Sequence, residues 1–149
     1  MSAAAELFFV DTNVLLYSVD ATDAAKRARA RQWMHTLWTS DSGRLSWQVL
    51  NEFYSNAVGK MKTPALLARE NVETLALWHP SNFGLGLLHR AWYWMDRASV
   101  AYWDALILAA AETAGCKYLL SEDFQAGREF DALTVVNPFL ASPEDFDFE

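Results

Sequence analysis

Apolar and polar positions alternate along this chain in blocks whose periods separate strands from helices. The run Leu7-Phe8-Phe9-Val10 is continuous, short and strand-forming, and it stops abruptly at Asp11. Such a run bounded by polar residues predicts a strand buried on both faces, as inside a parallel sheet. Thr12 and Asn13 then supply turn and cap chemistry, and Val14 to Tyr17 predicts a short helix. Asp23 opens a segment of strong helix formers reaching about Leu37, with Trp33, Leu37 and Trp38 as its buried stripe. Thr39 to Gly43 reads as a polar loop, and Arg44 to Ser46 as a brief strand.

From about Gln48 to Lys60 the pattern becomes helical again. Leu50, Phe53, Tyr54, Ala57, Val58 and Met61 mark its buried side, and Glu52 falls beside that stripe with Asn56 four residues on. Thr63-Pro64 predicts the start of a helix running to about Leu77. Trp78 to Leu85 reads as loop or irregular strand, and Leu87 to about Arg97 as a helix. On that helix Trp92, Tyr93 and Trp94 point in different directions, so at least one belongs near the surface. Ser99 is expected to cap Val100 to Ala114, whose centre, Ala105 to Ala111, is apolar almost all round and therefore buried. Asp104 sits in its first turn and Gly115 ends it. Lys117 to Leu120 predicts a second buried strand, followed at once by Ser121-Glu122-Asp123. Thr134 to Val136 predicts a last strand. Ser142 to Glu149 reads as an acidic, solvated tail.

Strands alternating with helices predict an α/β fold with a parallel sheet covered on both faces. The 149 residues are expected to form a single domain, and 52% apolar content supports a filled core. No apolar stretch reaches the length of a membrane span, and Met1 to Glu6 lacks the character of a secretory signal. Cys116 is the only cysteine, which excludes a disulfide framework and a cysteine-based zinc site. The expected compartment is the cytoplasm. His35, His79 and His89 have no partner at ligand spacing and are assigned no catalytic role.

Net charge is −7, the opposite of a basic duplex-binding footprint. Lys26, Arg27, Arg29 and Arg31 form the one basic cluster, which reads either as a solvated helix face or as a phosphate or partner contact. An acidic balance is compatible with a phosphate substrate if carboxylates concentrate in one cleft and hold divalent cations there.

The predicted sheet makes that concentration plausible. Asp11 and Asp123 lie at or just beyond the carboxyl ends of two strands, where ligands gather in open α/β sheets. Asp104 begins the helix feeding the second of them, and Glu52 lies on a helix that follows another strand. Each acid alone has a bland reading: Asp11 as a helix cap, Glu52 as a partner of a helix dipole. Together they are expected on one rim, where their repulsion is relieved by hard oxygen-seeking ions such as Mg²⁺ or Mn²⁺.

Four segments in order closely resemble the PIN-domain ribonucleases. They are Val10-Asp11-Thr12-Asn13-Val14-Leu15, Asn51-Glu52-Phe53, Tyr102-Trp103-Asp104-Ala105-Leu106-Ile107 and Leu119-Leu120-Ser121-Glu122-Asp123-Phe124, with Val136-Asn137-Pro138-Phe139 closing the similarity. The subgroup most resembled is that of the VapC-type toxins of prokaryotic toxin–antitoxin pairs. The resemblance implies a PIN-like three-layer fold with a mostly parallel central sheet, a homodimer, and a cognate antitoxin as protein partner. It implies RNA as substrate, one or two Mg²⁺ or Mn²⁺ ions as cofactor, and Asp11, Glu52, Asp104 and Asp123 as the catalytic, metal-binding set. Thr12, Asn13 and Ser121 become the supporting polar residues of that site.

Two other enzyme classes place a carboxylate at the end of a first strand. A haloacid-dehalogenase-like phosphatase needs a second Asp two residues on, where this chain has Asn13. A phosphoacceptor receiver domain needs an acidic pair and a late Lys that have no counterpart here. The alternative from a different class is a non-catalytic module that uses the same acidic pocket to engage a protein partner.

Overall fold

The computed structural model describes residues 6–148; Met1 to Ala5 and Glu149 lie outside the described residues. Among these residues five strands form one sheet in the order β2-β1-β3-β5-β4, with six α-helices making it a three-layer α/β fold. The strands are β1 (Phe8–Val10), β2 (Gly43–Arg44), β3 (Tyr118–Leu120), β4 (Glu129–Phe130) and β5 (Leu133–Val136). The helices are α1 (Thr12–Ser18), α2 (Ala24–Thr39), α3 (Trp47–Gly59), α4 (Ala65–Leu75), α5 (Leu85–Ala98) and α6 (Tyr102–Thr113). Strand β1 pairs in parallel with both β2 and β3, and β3 pairs in parallel with β5. All three residues of β1 are buried, as its uninterrupted apolar run requires. Only β4 runs antiparallel, joined to β5 by a tight turn in which Asp131 takes a left-handed conformation.

Helix α1 packs on α2 and α3, α3 on α4, and α5 on α6. The fully apolar centre of α6, Ala105 to Ala111, is buried throughout, as its sequence predicts. Trp92 is 46% exposed whereas Trp94 of the same helix is buried and donates its indole N–H to Glu112. Gly43 sits where a Cβ would come within 2.3 Å of the Trp78 ring, so only glycine lets β2 pass beneath that indole.

Several boundaries differ from expectation for identifiable reasons. The second strand is Gly43–Arg44; Ser46 instead caps α3 by accepting from the Val49 amide and makes an isolated bridge to Ser81. Ser99 does not cap the next helix: it ends α5 in a left-handed conformation, so α6 starts later, at Tyr102. Of the stripe assigned to α2, Trp33 and Leu37 are buried and Trp38 is exposed. On α3, Leu50, Phe53 and Ala57 are buried, whereas Tyr54 and Val58 are only partly covered, as is Met61 beyond its end.

The largest correction concerns the tail. Residues 142–148 are not solvated along their length: Pro143 is buried, and Phe146 and Phe148 pack against the core. Phe146 meets Phe8 edge-on at 5.3 Å and Tyr118 at 5.2 Å, and Phe148 stacks on Phe8 at 5.4 Å. The Trp33 indole N–H donates to the carbonyls of Pro138 and Ala141, and Arg29 donates to Ala141 as well. The tail's acidic residues conceal two aromatic anchors of β1.

The basic cluster of α2 is largely spent within the molecule. Lys26 pairs with Glu122, Arg29 holds Ala141, and Arg31 donates to the Ser18 carbonyl.

Candidate active site

Strand register brings the first two site residues together. Val10 of β1 lies opposite Leu120 of β3, and the Asp11 amide donates to the Leu120 carbonyl at 3.1 Å. Asp11 and Ser121 therefore leave adjacent strand ends side by side, at the ordinary spacing of parallel strands. The Ser121 hydroxyl donates to Asp11 Oδ2 at 2.7 Å, and the other carboxylate oxygen accepts from the Thr12 amide at 2.7 Å. Asp11 thus caps α1 and faces the site at once. Both readings of this residue hold in the same side chain.

Asn13, the second residue of α1, ties the ends of β1 and β3 into a closed web. Its amide nitrogen lies 3.0 Å from Asp123 Oδ2, 3.2 Å from Ser121 Oγ and 3.3 Å from Asp11 Oδ2. Its oxygen accepts from the Glu122 backbone amide at 3.2 Å. Ser121 Oγ also accepts from the Asp123 amide at 3.0 Å, which shapes the turn that carries Asp123. Further out, Glu122 is held by Lys26 and by the Tyr17 hydroxyl, which donates to it at 2.9 Å. The turn after β3 is therefore fixed from both sides.

Glu52 reaches the cluster from α3. Its Oε2 accepts from the Thr12 hydroxyl at 3.0 Å and its Oε1 from the Gln48 amide at 2.8 Å. Gln48 is buried, lies one helical turn before Glu52, and also donates to the Trp103 carbonyl at 3.3 Å. That second bond joins the start of α3 to the start of α6, where Asp104 sits in the first turn, half-buried.

The electrostatics report the same convergence. Asp11 is only 5% exposed, and its carboxyl is pushed up to about 7. Burial is the largest cause; the Ser121 and Thr12 hydrogen bonds oppose it, and the charges of Asp123 and Glu52 add to it. Asp104 is likewise raised, by burial and then by the charges of Asp123 and Glu52. Asp11, Glu52, Asp104 and Asp123, taken from four separate parts of the chain, share one electrostatic site.

Whether that site suits a metal ion is a separate question. Among the described residues, no three His, Cys, Asp or Glu side chains are gathered so that they could hold one ion as they stand. The reason is visible in the web: Thr12 and Asn13 stand between the acids, which are linked through neutral groups. The donor chemistry is nevertheless that of a hard cation. It is all oxygen, and two of its carboxyls resist ionising because they are buried and lie among other acids. The acids fit a divalent ion in kind, and an ion shared among three of them would displace some of these hydrogen bonds.

Of the residues expected from the sequence, Asp11, Thr12, Asn13, Glu52, Ser121 and Asp123 are joined by hydrogen bonds, and Asp104 is linked to them through the charges of Asp123 and Glu52 alone. The sequence reading did not single out Gln48, or Lys26 and Tyr17 as the anchors of Glu122. Gln48 has a legible signal in retrospect, because it shares the helical face of Glu52 four residues away.

Comparison with known proteins follows the same lines. The family model described as PIN domain matches residues 8–129. None of the curated proteins matches the chain. Among solved structures, the toxin VapC20 of Mycobacterium tuberculosis, described as cleaving the sarcin–ricin loop, superposes with a TM-score of 0.60 at 22% identity. The match covers 78% of this chain and 91% of that one.

Proposed function

The chain belongs to the PIN-domain family, and from that premise we propose that it is an endoribonuclease dependent on Mg²⁺ or Mn²⁺, the toxin of a type II toxin–antitoxin pair. The observation that carries this reading is the buried Asp11, coupled through Thr12 to Glu52 and through Asn13 to Asp123, with Asp104 sensing both charges. A structural role alone gives no reason to collect four carboxylates where they repel.

In this reading Asp11 and Asp104 would hold an ion directly, and Glu52 and Asp123 would act through water or help to position a second ion. A bound ion supplies a polarised phosphoryl oxygen and an acidified water for hydrolysis of the phosphodiester. The protein's own contribution is orientation. Thr12 and Gln48 fix both oxygens of Glu52, and Ser121 and the Thr12 amide fix those of Asp11. Asn13 holds Asp123 and the turn beside it, while burial of Asp11 keeps bulk water from its carboxylate.

The proposed antitoxin has a suitable surface. An apolar cavity of about 480 Å³ is lined by Leu15, Met34, Trp38, Phe53, Leu67 and Leu75, drawn from α1 to α4. An amphipathic antitoxin segment would bury its apolar side there. A homodimer belongs to the same reading, to be checked by sedimentation. No helix of the described residues is long and apolar enough to cross a membrane, and the cytoplasm is the proposed compartment.

The test is to incubate the purified chain with mixed RNA, including ribosomal RNA because the neighbouring toxin is described as cleaving its sarcin–ricin loop. Cleavage that needs divalent ion, stops with chelator and is lost in Asp11→Asn and Asp104→Asn supports the nuclease. Full activity in both variants refutes the site. The second reading, a non-catalytic acidic module, draws on the neutral groups standing between the acids. Intact RNA across a range of divalent ions favours it.

A further inference from the structure

We propose that the Asn13 side-chain amide stands in for a cation between Asp11 and Asp123, so that a divalent ion must displace it and Asn13 sets the ion concentration at which the site loads. This rests on the nuclease reading and names how that site is regulated. The amide nitrogen faces three oxygens at once: Asp123 Oδ2 at 3.0 Å, Ser121 Oγ at 3.2 Å and Asp11 Oδ2 at 3.3 Å. An NH₂ group has fewer hydrogens than that to share among its acceptors. Oxygens gathered from separate residues around one positive group are the surroundings a hard cation takes.

The orientation of the amide is fixed from its other end. Asn13 Oδ1 accepts from the Glu122 backbone N–H at 3.2 Å, and reversing the amide would set two donors against each other. Reversal would also turn a carbonyl oxygen toward two carboxylates. The nitrogen therefore belongs on the acid side.

Charge explains why an amide holds this place. Among the described residues, Lys26 pairs with Glu122, Arg44 with Asp41, Arg90 with Glu112 and Asp131, and Lys117 with Glu6. None of these ion pairs reaches Asp11, Glu52, Asp104 or Asp123. The partial positive charge of the NH₂ group is then what relieves the repulsion between Asp11 and Asp123. The Thr12 hydroxyl and the Gln48 amide do something different, since each reaches Glu52 alone among the four acids. Mg²⁺ holds its oxygen ligands at about 2.1 Å, far closer than the amide nitrogen does. An ion drawn in by Asp11 and Asp123 needs that nitrogen out of the way, and swinging Asn13 outward also frees the Glu122 amide. Below the exchange concentration the amide keeps the site in shape; above it the ion takes over.

The experiment uses the full chain, first without RNA. Mn²⁺ binding is measured by calorimetry, and Mg²⁺ binding by the rise in the urea unfolding midpoint. Asn13→Ala is expected to bind both ions about tenfold more tightly, the worth of one hydrogen bond to a charged group. Its metal-free form should unfold at lower urea than wild type. If Asn13 served only to position Asp123, the same variant would bind the ions more weakly. Half-maximal RNA cleavage by the variant should likewise come at about tenfold less Mg²⁺. In nitrogen-15-labelled wild type the Asn13 side-chain NH₂ resonances should shift as Mg²⁺ is added, with the midpoint of ion binding, a test that does not depend on a variant folding. Unchanged resonances at saturating Mg²⁺, or equal or weaker ion binding by Asn13→Ala, overturn the exchange, and with cleavage intact they leave the nuclease. Exchange in a protein that cleaves no RNA keeps the stand-in and removes the nuclease. Wild type that takes up no divalent ion removes both.

Discussion

Replacing Asp11 by Asn should make the metal-free protein more stable above neutral pH while destroying its proposed activity. A carboxyl moved from 3.8 to about 7 holds its proton in the folded state over a window in which the unfolded chain has released it. The folded state then binds more protons than the unfolded, so stability falls as pH rises through roughly 4 to 7 and levels off above. At about 1.4 kcal/mol per unit, the displacement corresponds to a loss of roughly 4 kcal/mol across that window. The Asp11→Asn change removes the titration. The new amide keeps an oxygen for the Thr12 amide but turns an NH₂ toward Ser121, whose hydroxyl currently donates to Asp11 and accepts from the Asp123 amide. That mismatch costs about 1 kcal/mol. The variant should therefore be slightly more stable than wild type already at pH 5 and about 3 kcal/mol more stable at pH 8, by the balance of these two effects. Urea unfolding in chelator, followed by tryptophan fluorescence at pH 5, 6, 7 and 8, measures this directly. Adding Mg²⁺ at pH 8 should stabilise wild type and leave the variant unmoved. Unfolding midpoints of the two proteins that run parallel across the whole range would refute the reasoning.

Four further outcomes follow from the same contacts. Thr12→Val removes the hydroxyl that holds Glu52 and should lower RNA cleavage about 10–100-fold while the circular dichroism spectrum stays native. Phe146→Ala should cost about 2 kcal/mol in urea unfolding, because Phe146 packs on both Phe8 and Tyr118; an unchanged midpoint would return the tail to solvent. Gly43→Ala should destabilise by about 1–3 kcal/mol, measured by thermal melting, since its Cβ would drive into the Trp78 ring. Cys116 is buried with its thiol pushed up to about 12, so it should resist a thiol reagent at pH 8 until urea unfolds the chain.

The parts of this fold legible in sequence are those where one physical rule dominates. Strand β1 is buried on both faces, so its apolar run needs no arbitration, and Asp11 marks its end. Helix α6 is covered on all sides and reads as apolar without a stripe. Strand β4 has no such signal: it is two residues long and only Phe130 is buried. Its pairing comes from the turn at Asp131 and from β5 beside it. Ser99 carries cap chemistry for a following helix, yet the end of α5 takes it in a left-handed conformation. The tail misleads because four of its eight residues are acidic, while Phe146 and Phe148 anchor the segment. At the site, carboxylates announce themselves by charge. Gln48 carries none, and its role depends on a contact with Trp103, 55 residues away, that no local pattern records.

The aromatic clasp of Phe146 and Phe148 upon Phe8 has a consequence for biosynthesis. Strand β1 leaves the ribosome ahead of the rest of the sheet, but its packing is completed by side chains translated more than a hundred residues later. Closing so long a loop is entropically slow, and it waits until nearly all of the described polypeptide has been made. Asp11, three positions beyond Phe8, likewise finds its Leu120 and Ser121 partners only after β3 has been made. A nascent chain still short of residue 123 is expected to be inert toward RNA in the cell that is making it.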